Sequence, residues 1–208
     1  MRACEALIMA NIGTLPVSPS DVAGFFGIKL VSYEECGRIY ERSREELYRE
    51  SRFGFSFCAE GGYVCAVNEN ACGEKRRRWT IAHEIGHCLL GHVDGKQAPT
   101  FEQEREADRF AAELLAPLTV LHFCGVRSAE ELRRLCGLSK QAAEIRFREL
   151  TELRRSDAER FRRWRVTDRE EQAPKGGFLC SNTDLRLLVQ FSGFVGQYIY
   201  DAAKRECG

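Results

Sequence analysis

The sequence predicts an α+β fold, and three observations predict it. Residues 53–68 alternate aromatic, small and β-branched side chains around Gly61-Gly62, the pattern of a hairpin. Two segments, 74–91 and 101–116, space their apolar residues at helical intervals, and most of the chain beyond residue 125 returns to charged helical periodicity. The composition agrees with a folded chain: 208 residues, 44% apolar and 30% charged with 5 prolines, suit one sizeable core with a small appended unit rather than a disordered or low-complexity polymer. Lys plus Arg number 31 and Asp plus Glu number 31, so no overall field favours nucleic acid or an anionic membrane surface. Apolar runs are broken by Arg, Gln, Asp or Gly before reaching the roughly 18 to 20 residues of a membrane helix, and no membrane partner is expected.

The N-terminal MRACEALIMANIG holds one Arg and a short apolar stretch interrupted by Glu5, without a cleavage-site pattern, and reads as the first helix of a cytoplasmic protein. Pro16 and Pro19 bracket a turn, after which Ser20 or Asp21 can cap a short helix reaching Phe26 and ending at Gly27. IKLVSY at 28–33 reads as a strand, 34–50 as one charged helix, and 53–68 as the hairpin that completes a small sheet. The stretch from Glu74 then runs as a helix to a stop at Gly91. A second helix carries the stripe Ala107, Phe110, Ala111, Leu114 and Leu115 and ends before Pro117. Residues 127–169 read as helix, turn and helix, with 13 basic against 8 acidic residues, a surplus of 5. EEQAPKGG at 170–177 reads as a linker, and the last 30 residues carry enough apolar and aromatic side chains to pack back on the body. The expected organisation is therefore a main domain over 1–126, a helical helix-turn-helix-like segment over 127–169, and a linker with a packing segment over 170–208.

Ten cysteines lie without a CxxC pair, so free and mostly buried thiols are expected rather than disulfides or a cysteine-bound structural zinc. Chemistry concentrates instead at His83-Glu84-Ile85-Gly86-His87, an HExxH array inside the first long helix. At about 100° per residue, the two imidazoles stand about 40° apart and one turn apart, so both can reach a single tetrahedral ion. Glu84 sits beside them without having to bind. A zinc-coordinated water has its pKa lowered to roughly 7, and a neighbouring carboxylate can take its proton and later deliver it to a leaving amine.

A catalytic zinc takes three protein ligands, so a third is required. The extended motif with a histidine ten residues after the first needs Gly at 90 and His at 93, where this chain has Leu90 and Val93. His92 falls about 180° round from His83 on an extended helix and is disfavoured. On the second helix Glu104 and Asp108 share a face: Glu104 would bind the metal, while Asp108 would accept the outer N–H of a ligand histidine and fix its tautomer. Glu106, about 160° from Asp108, is expected to be solvated or paired with an arginine. The competing reading of Glu102, Glu104 and Glu106 is an acidic first turn that complements the helix dipole.

RRWTIAHEIGHCLLGH followed by EREADRFAAELLAP resembles the ImmA/IrrE family of metallopeptidases, gluzincin-like enzymes, over about residues 60 to 120; Ala116 stands where many relatives have Met. The resemblance implies a zincin-like core with Zn2+ as cofactor, His83, His87 and Glu104 as ligands, Glu84 as the catalytic carboxylate and Asp108 as helical partner. It further implies a cytoplasmic protein substrate, with a helix-turn-helix repressor of a mobile element or stress regulon as the expected partner.

Several other readings compete. Residues 128–150 can be drawn as a helix-turn-helix with Gly137 in the turn, Ser139 as cap and Lys140, Arg146 and Arg148 on the second helix, but Arg133 stands where a small residue is favoured, and direct nucleic-acid binding is not expected. RFRRWR at 160–165 fits an amphipathic helix with Trp164 buried. Cys88 lacks a recognisable acid-base partner and reads as a structural thiol; His122, Tyr198 and Tyr200 have no assigned role in holding an oxyanion. The rival to an endopeptidase is a non-catalytic zinc-containing regulator that binds a repressor or DNA.

Overall fold

A computed structural model of the chain describes all residues except 60, 72, 94–97, 168–181 and 208, and no side chains for 157–167 or 206–207. The expected linker at 170–177 and the side chains of RFRRWR, Trp164 included, lie outside the described residues. The architecture is a helix-rich α+β mixture with a three-stranded sheet, divided into two compact units: Met1–Ala10 with Val17–Leu115, and Asn11–Pro16 with the chain from Ala116 onward.

In the first unit, α1 (Ala3–Met9) precedes α2 (Pro19–Phe25), β1 (Lys29–Ser32), α3 (Tyr33–Ile39), α4 (Arg44–Glu50), β2 (Gly54–Ala59), β3 (Gly62–Val67), α5 (Glu74–Leu90) and α6 (Phe101–Leu115). The cap of α2 is Ser18, whose hydroxyl accepts the Asp21 N–H while Pro19 takes the first helical position, and not Ser20 or Asp21. Residues 34–50 form two helices rather than one. Glu41 adopts φ 51°, and Ser43 with Glu46 makes a reciprocal capping box that restarts the chain as α4. The S-x-x-E spacing was the sequence signal for this break.

The sheet order is β1-β3-β2, with β1 parallel and β2 antiparallel to the central β3. Side chains alternate across it. Val31, Val64 and Ala66 pack with Tyr33, Cys36 and Leu47 on one face, joined by Phe55 and Phe57. Cys65 and its cross-strand partner Ser56 therefore point to the opposite face, which α5 covers. β2 lies at the edge of this sheet, so its outer backbone has no strand beside it among the described residues.

α5 is anchored by Ile81, Ala82 and Ile85 and ends in a left-handed Gly91, as the breaker there predicted. α6 opens on a reciprocal pair, Gln103 N–H to Thr100 Oγ1 and Thr100 N–H to Gln103 Oε1, and buries Ala107, Phe110, Ala111, Leu114 and Leu115. The two helices meet where Gly86 faces Ala107: a Cβ at 86 would stand 3.3 Å from the Ala107 Cα and carbonyl oxygen and 3.2 Å from the Phe110 ring. Small residues on both sides let the backbones approach, and this brings the first turns of α6 within side-chain reach of the HExxH residues.

The second unit contains α7 (Leu118–Phe123), a short helix that the sequence pattern does not predict, α8 (Ala129–Cys136), α9 (Lys140–Thr167) and α10 (Asn182–Cys207). α10 buries Leu187 and Phe191 completely, and its Gln190 amide donates to the Ile12 carbonyl. α8 and α9 join through a left-handed Gly137, as a helix-turn-helix drawing requires. Arg146, however, is buried: its guanidinium donates to the Ala116 carbonyl at 2.8 Å and to Glu149 at 2.7 Å. It is spent on packing and does not face a groove. No helix among the described residues is long and apolar enough to cross a membrane.

Candidate metal centre

Two turns of α5 and one of α6 build the site. His83 Nε2 and His87 Nε2 lie 3.0 Å apart, and the exposed Glu104 brings Oε2 to 3.3 Å from the first and Oε1 to 3.5 Å from the second. A tetrahedral ion with ligand bonds of 2.0–2.1 Å places its donors about 3.3–3.4 Å apart. The separation between the two imidazole nitrogens and the nearest approach of the carboxylate, 3.0 and 3.3 Å, lie close to that edge, and one donor atom from each residue falls within 4.8 Å of the others, so these residues fit a small divalent cation. Each offers one donor atom to the common point. Two nitrogens and a carboxylate oxygen form the donor set of a borderline cation such as zinc and leave a position open.

Each of the two histidines is also held by its other nitrogen. His83 Nδ1 donates to Asp108 Oδ1 at 3.0 Å, the contact proposed from the four-residue spacing of Glu104 and Asp108. His87 instead meets His92, Nδ1 to Nδ1 at 3.2 Å, and His92 Nε2 lies 3.1 Å from Glu106 Oε2. Glu106 is thus paired with a histidine rather than an arginine. His92 is not extended on the helix. The left-handed Gly91, with φ 78°, reverses the chain so that the His92 N–H bonds the His87 carbonyl and its ring folds back beneath His87. Burial, with His83 and His92 beside it, pushes the His87 imidazole down to about 4, which keeps it neutral at physiological pH.

Glu84, between the two histidines on the same helix, is buried and reaches β2 with its carboxylate. The Ser56 hydroxyl donates to its Oε2 at 2.7 Å. Burial pushes the Glu84 carboxyl up, and this hydrogen bond opposes the shift. Ser56 was not singled out from sequence; the available signal was its position between Phe55 and Phe57, which must face the other way on a strand. Cys88, next to His87, is buried and its thiol is pushed up to about 12, the state of an inert side chain. All described cysteines with assigned states are free thiols: Cys4, Cys36, Cys58, Cys65, Cys88, Cys124 and Cys136.

Ser56, His83, Glu84, His87, His92 and Glu104 line a cleft of about 710 Å³. One wall is β2, from Gly54 to Phe57, and another is the first part of α5 with Arg76, Trp79 and Thr80. Arg42 stands over the Phe55 and Phe57 rings, 5.6 and 5.0 Å from their centroids, and joins the rim. The cleft can therefore present an edge strand, a carboxylate and three residues that could hold a cation to one extended ligand.

Comparison with curated proteins finds no match. The family model for the IrrE N-terminal-like domain, Peptidase_M78, matches residues 39–148, which is 110 of the 208 residues and spans α4, the hairpin, α5 and α6. With more than half its length under that match and a possible His-His-Glu metal site within it, the chain belongs to the ImmA/IrrE family of metallopeptidases.

Proposed function

We propose that the protein is a zinc-dependent endopeptidase of zincin-like architecture that hydrolyses a peptide bond in a cytoplasmic protein. The observation that carries the reading is the adjacency of a Ser56-braced Glu84 to the His83, His87 and Glu104 donors in one cleft walled by an edge strand.

His83 and His87 through Nε2, with Glu104, would hold the ion. When bound, zinc supplies Lewis acidity, polarising a carbonyl and lowering the pKa of water. The remaining chemistry belongs to side chains of this chain. Glu84 accepts a proton from the attacking water and returns it to the leaving amine, so that water and a peptide become a carboxylic acid and an amine. Burial raises its proton affinity, the direction that favours taking a proton from water. Ser56 holds the carboxylate in one orientation. The outer edge of β2 offers backbone N–H and C=O groups against which an extended substrate can align.

Family membership is the support for a regulator as substrate, and a helix-turn-helix repressor is the partner we put forward. Direct DNA recognition forms no part of the reading, since Arg146 is buried in packing. Co-expression with the neighbouring repressor tests the proposal. Wild type should deplete full-length repressor, Glu84→Gln should retain zinc and leave the repressor intact, and His83→Ala should lose the zinc. Cleavage by Glu84→Gln at the wild-type rate would refute the role given to Glu84.

A further inference from the structure

His83 and His87 hold the same position in the metal triad but are oriented by different devices. His83 rests directly on a carboxylate, Asp108. His87 reaches a carboxylate only through a second imidazole, because His92 stands between it and Glu106.

Proton bookkeeping fixes the direction of this chain. A nitrogen-nitrogen contact of 3.2 Å accommodates one proton, so one of the two Nδ1 atoms donates and the other accepts. His87 Nε2 is the atom aimed at His83 Nε2 and Glu104, and as a ligand it must present a lone pair. The single ring proton of neutral His87 is then on Nδ1, and His92 Nδ1 accepts it. This leaves the His92 proton on Nε2, where it donates to Glu106 Oε2 at 3.1 Å. Every polar atom along the path is used once. The buried position of His92 and the reversal at Gly91 hold the ring in line.

We propose that His92 and Glu106 form a relay that locks His87 in the tautomer with its Nε2 lone pair turned to the metal position, making His92 a positioning residue for the metal centre. The inference rests on the reading of His83, His87 and Glu104 as the zinc site. It also assigns α6 a threefold part: Glu104 in the triad, Asp108 behind His83, and Glu106 behind His87 at one remove.

The test measures zinc affinity of the full chain by competition with a chromogenic chelator, with far-UV circular dichroism on each variant. His92→Phe keeps a ring of similar size but neither accepts nor donates, and should weaken zinc binding about 10- to 100-fold. His92→Gln keeps an acceptor and a donor on one group and should restore affinity close to wild type, a rescue that simple filling of space does not predict. Glu106→Gln, which can still accept the same hydrogen bond but removes the charge, should fall between them. Long-range ¹H–¹⁵N spectra of metal-free wild type should show His87 protonated at Nδ1 and His92 at Nε2, a readout that stands even where His92→Phe does not fold. A folded His92→Phe that binds zinc as tightly as wild type, or a His92 protonated at Nδ1 alone, overturns the relay. If wild type itself takes up no zinc while the spectra show the stated tautomers, the metal-site reading falls and the relay's role in affinity falls with it.

Discussion

The α5–α6 pair and the α8–α9 pair are each two consecutive helices rich in charge, yet they use that charge in opposite ways. In α5–α6, small residues at Gly86 and Ala107 draw the backbones together, and ionisable side chains converge on one another: His83, His87 and Glu104 at the centre, Asp108, His92 and Glu106 around them. In α8–α9, Arg133, Arg146 and Arg154 are spent on closing backbone ends and on local pairs. Arg146 serves the Ala116 carbonyl, Arg154 donates to the carbonyls of Val126, Leu121 and His122 near the end of α7, and Arg133 grips Glu130 through two 2.7 Å bonds. Charge that satisfies backbone groups stabilises the fold, whereas charge arranged around an open position is available for chemistry. Surplus of one sign in a helical pair therefore says little about a ligand until the partners of each side chain are known.

Substitutions can break this comparison at either end. The largest effect is expected at Gly86→Val, which places branched carbons against Ala107 and Phe110; it should destabilise the chain by about 1–3 kcal/mol through overpacking and should lower zinc affinity as well, because Glu104 is moved off the histidines. Denaturant titration and chelator competition on one preparation check both halves. Unchanged zinc affinity in the destabilised variant would separate the close approach from the site. In the other pair, Arg146→Met should cost about 1–3 kcal/mol, since it leaves the Ala116 carbonyl without its guanidinium donor, while zinc affinity stays at the wild-type value. The exposed Arg148, on the same helix, should be nearly silent: Arg148→Ala is expected to shift stability by less than about 0.5 kcal/mol in the same titration. A large cost at Arg148 would show that the pair has a partner beyond the contacts described.

What could be read from the chain follows the range of the interaction. His83, Glu84 and His87 are legible because a helix fixes the relation of residues one to four apart, and no tertiary contact is needed to place them on one side. Glu104 and Asp108 are legible for the same reason within α6, although their approach to α5 depends on Gly86 and Ala107, two small residues whose role appears only when the helices are packed. His92 escaped because a helical wheel was extended through Gly91, where the left-handed backbone reverses the chain. Glu106 escaped with it, its partner having been placed on the wrong side. Ser56 comes from a strand 28 residues away from Glu84 in sequence, and only the sheet register, with Ser56 opposite Cys65, turns it toward α5. The break between α3 and α4 was local and readable in the Ser43-Glu46 spacing; continuous helical charge periodicity concealed it.

The account turns on the identity of the atoms that surround the ion, and X-ray absorption at the zinc edge of the loaded full-length protein measures them most directly. It should report a four-coordinate ion with nitrogen and oxygen neighbours at about 2.0–2.1 Å, imidazole scattering from two rings, and no sulfur. A sulfur shell at about 2.3 Å would assign the metal to the cysteines and contradict the centre built from His83, His87 and Glu104.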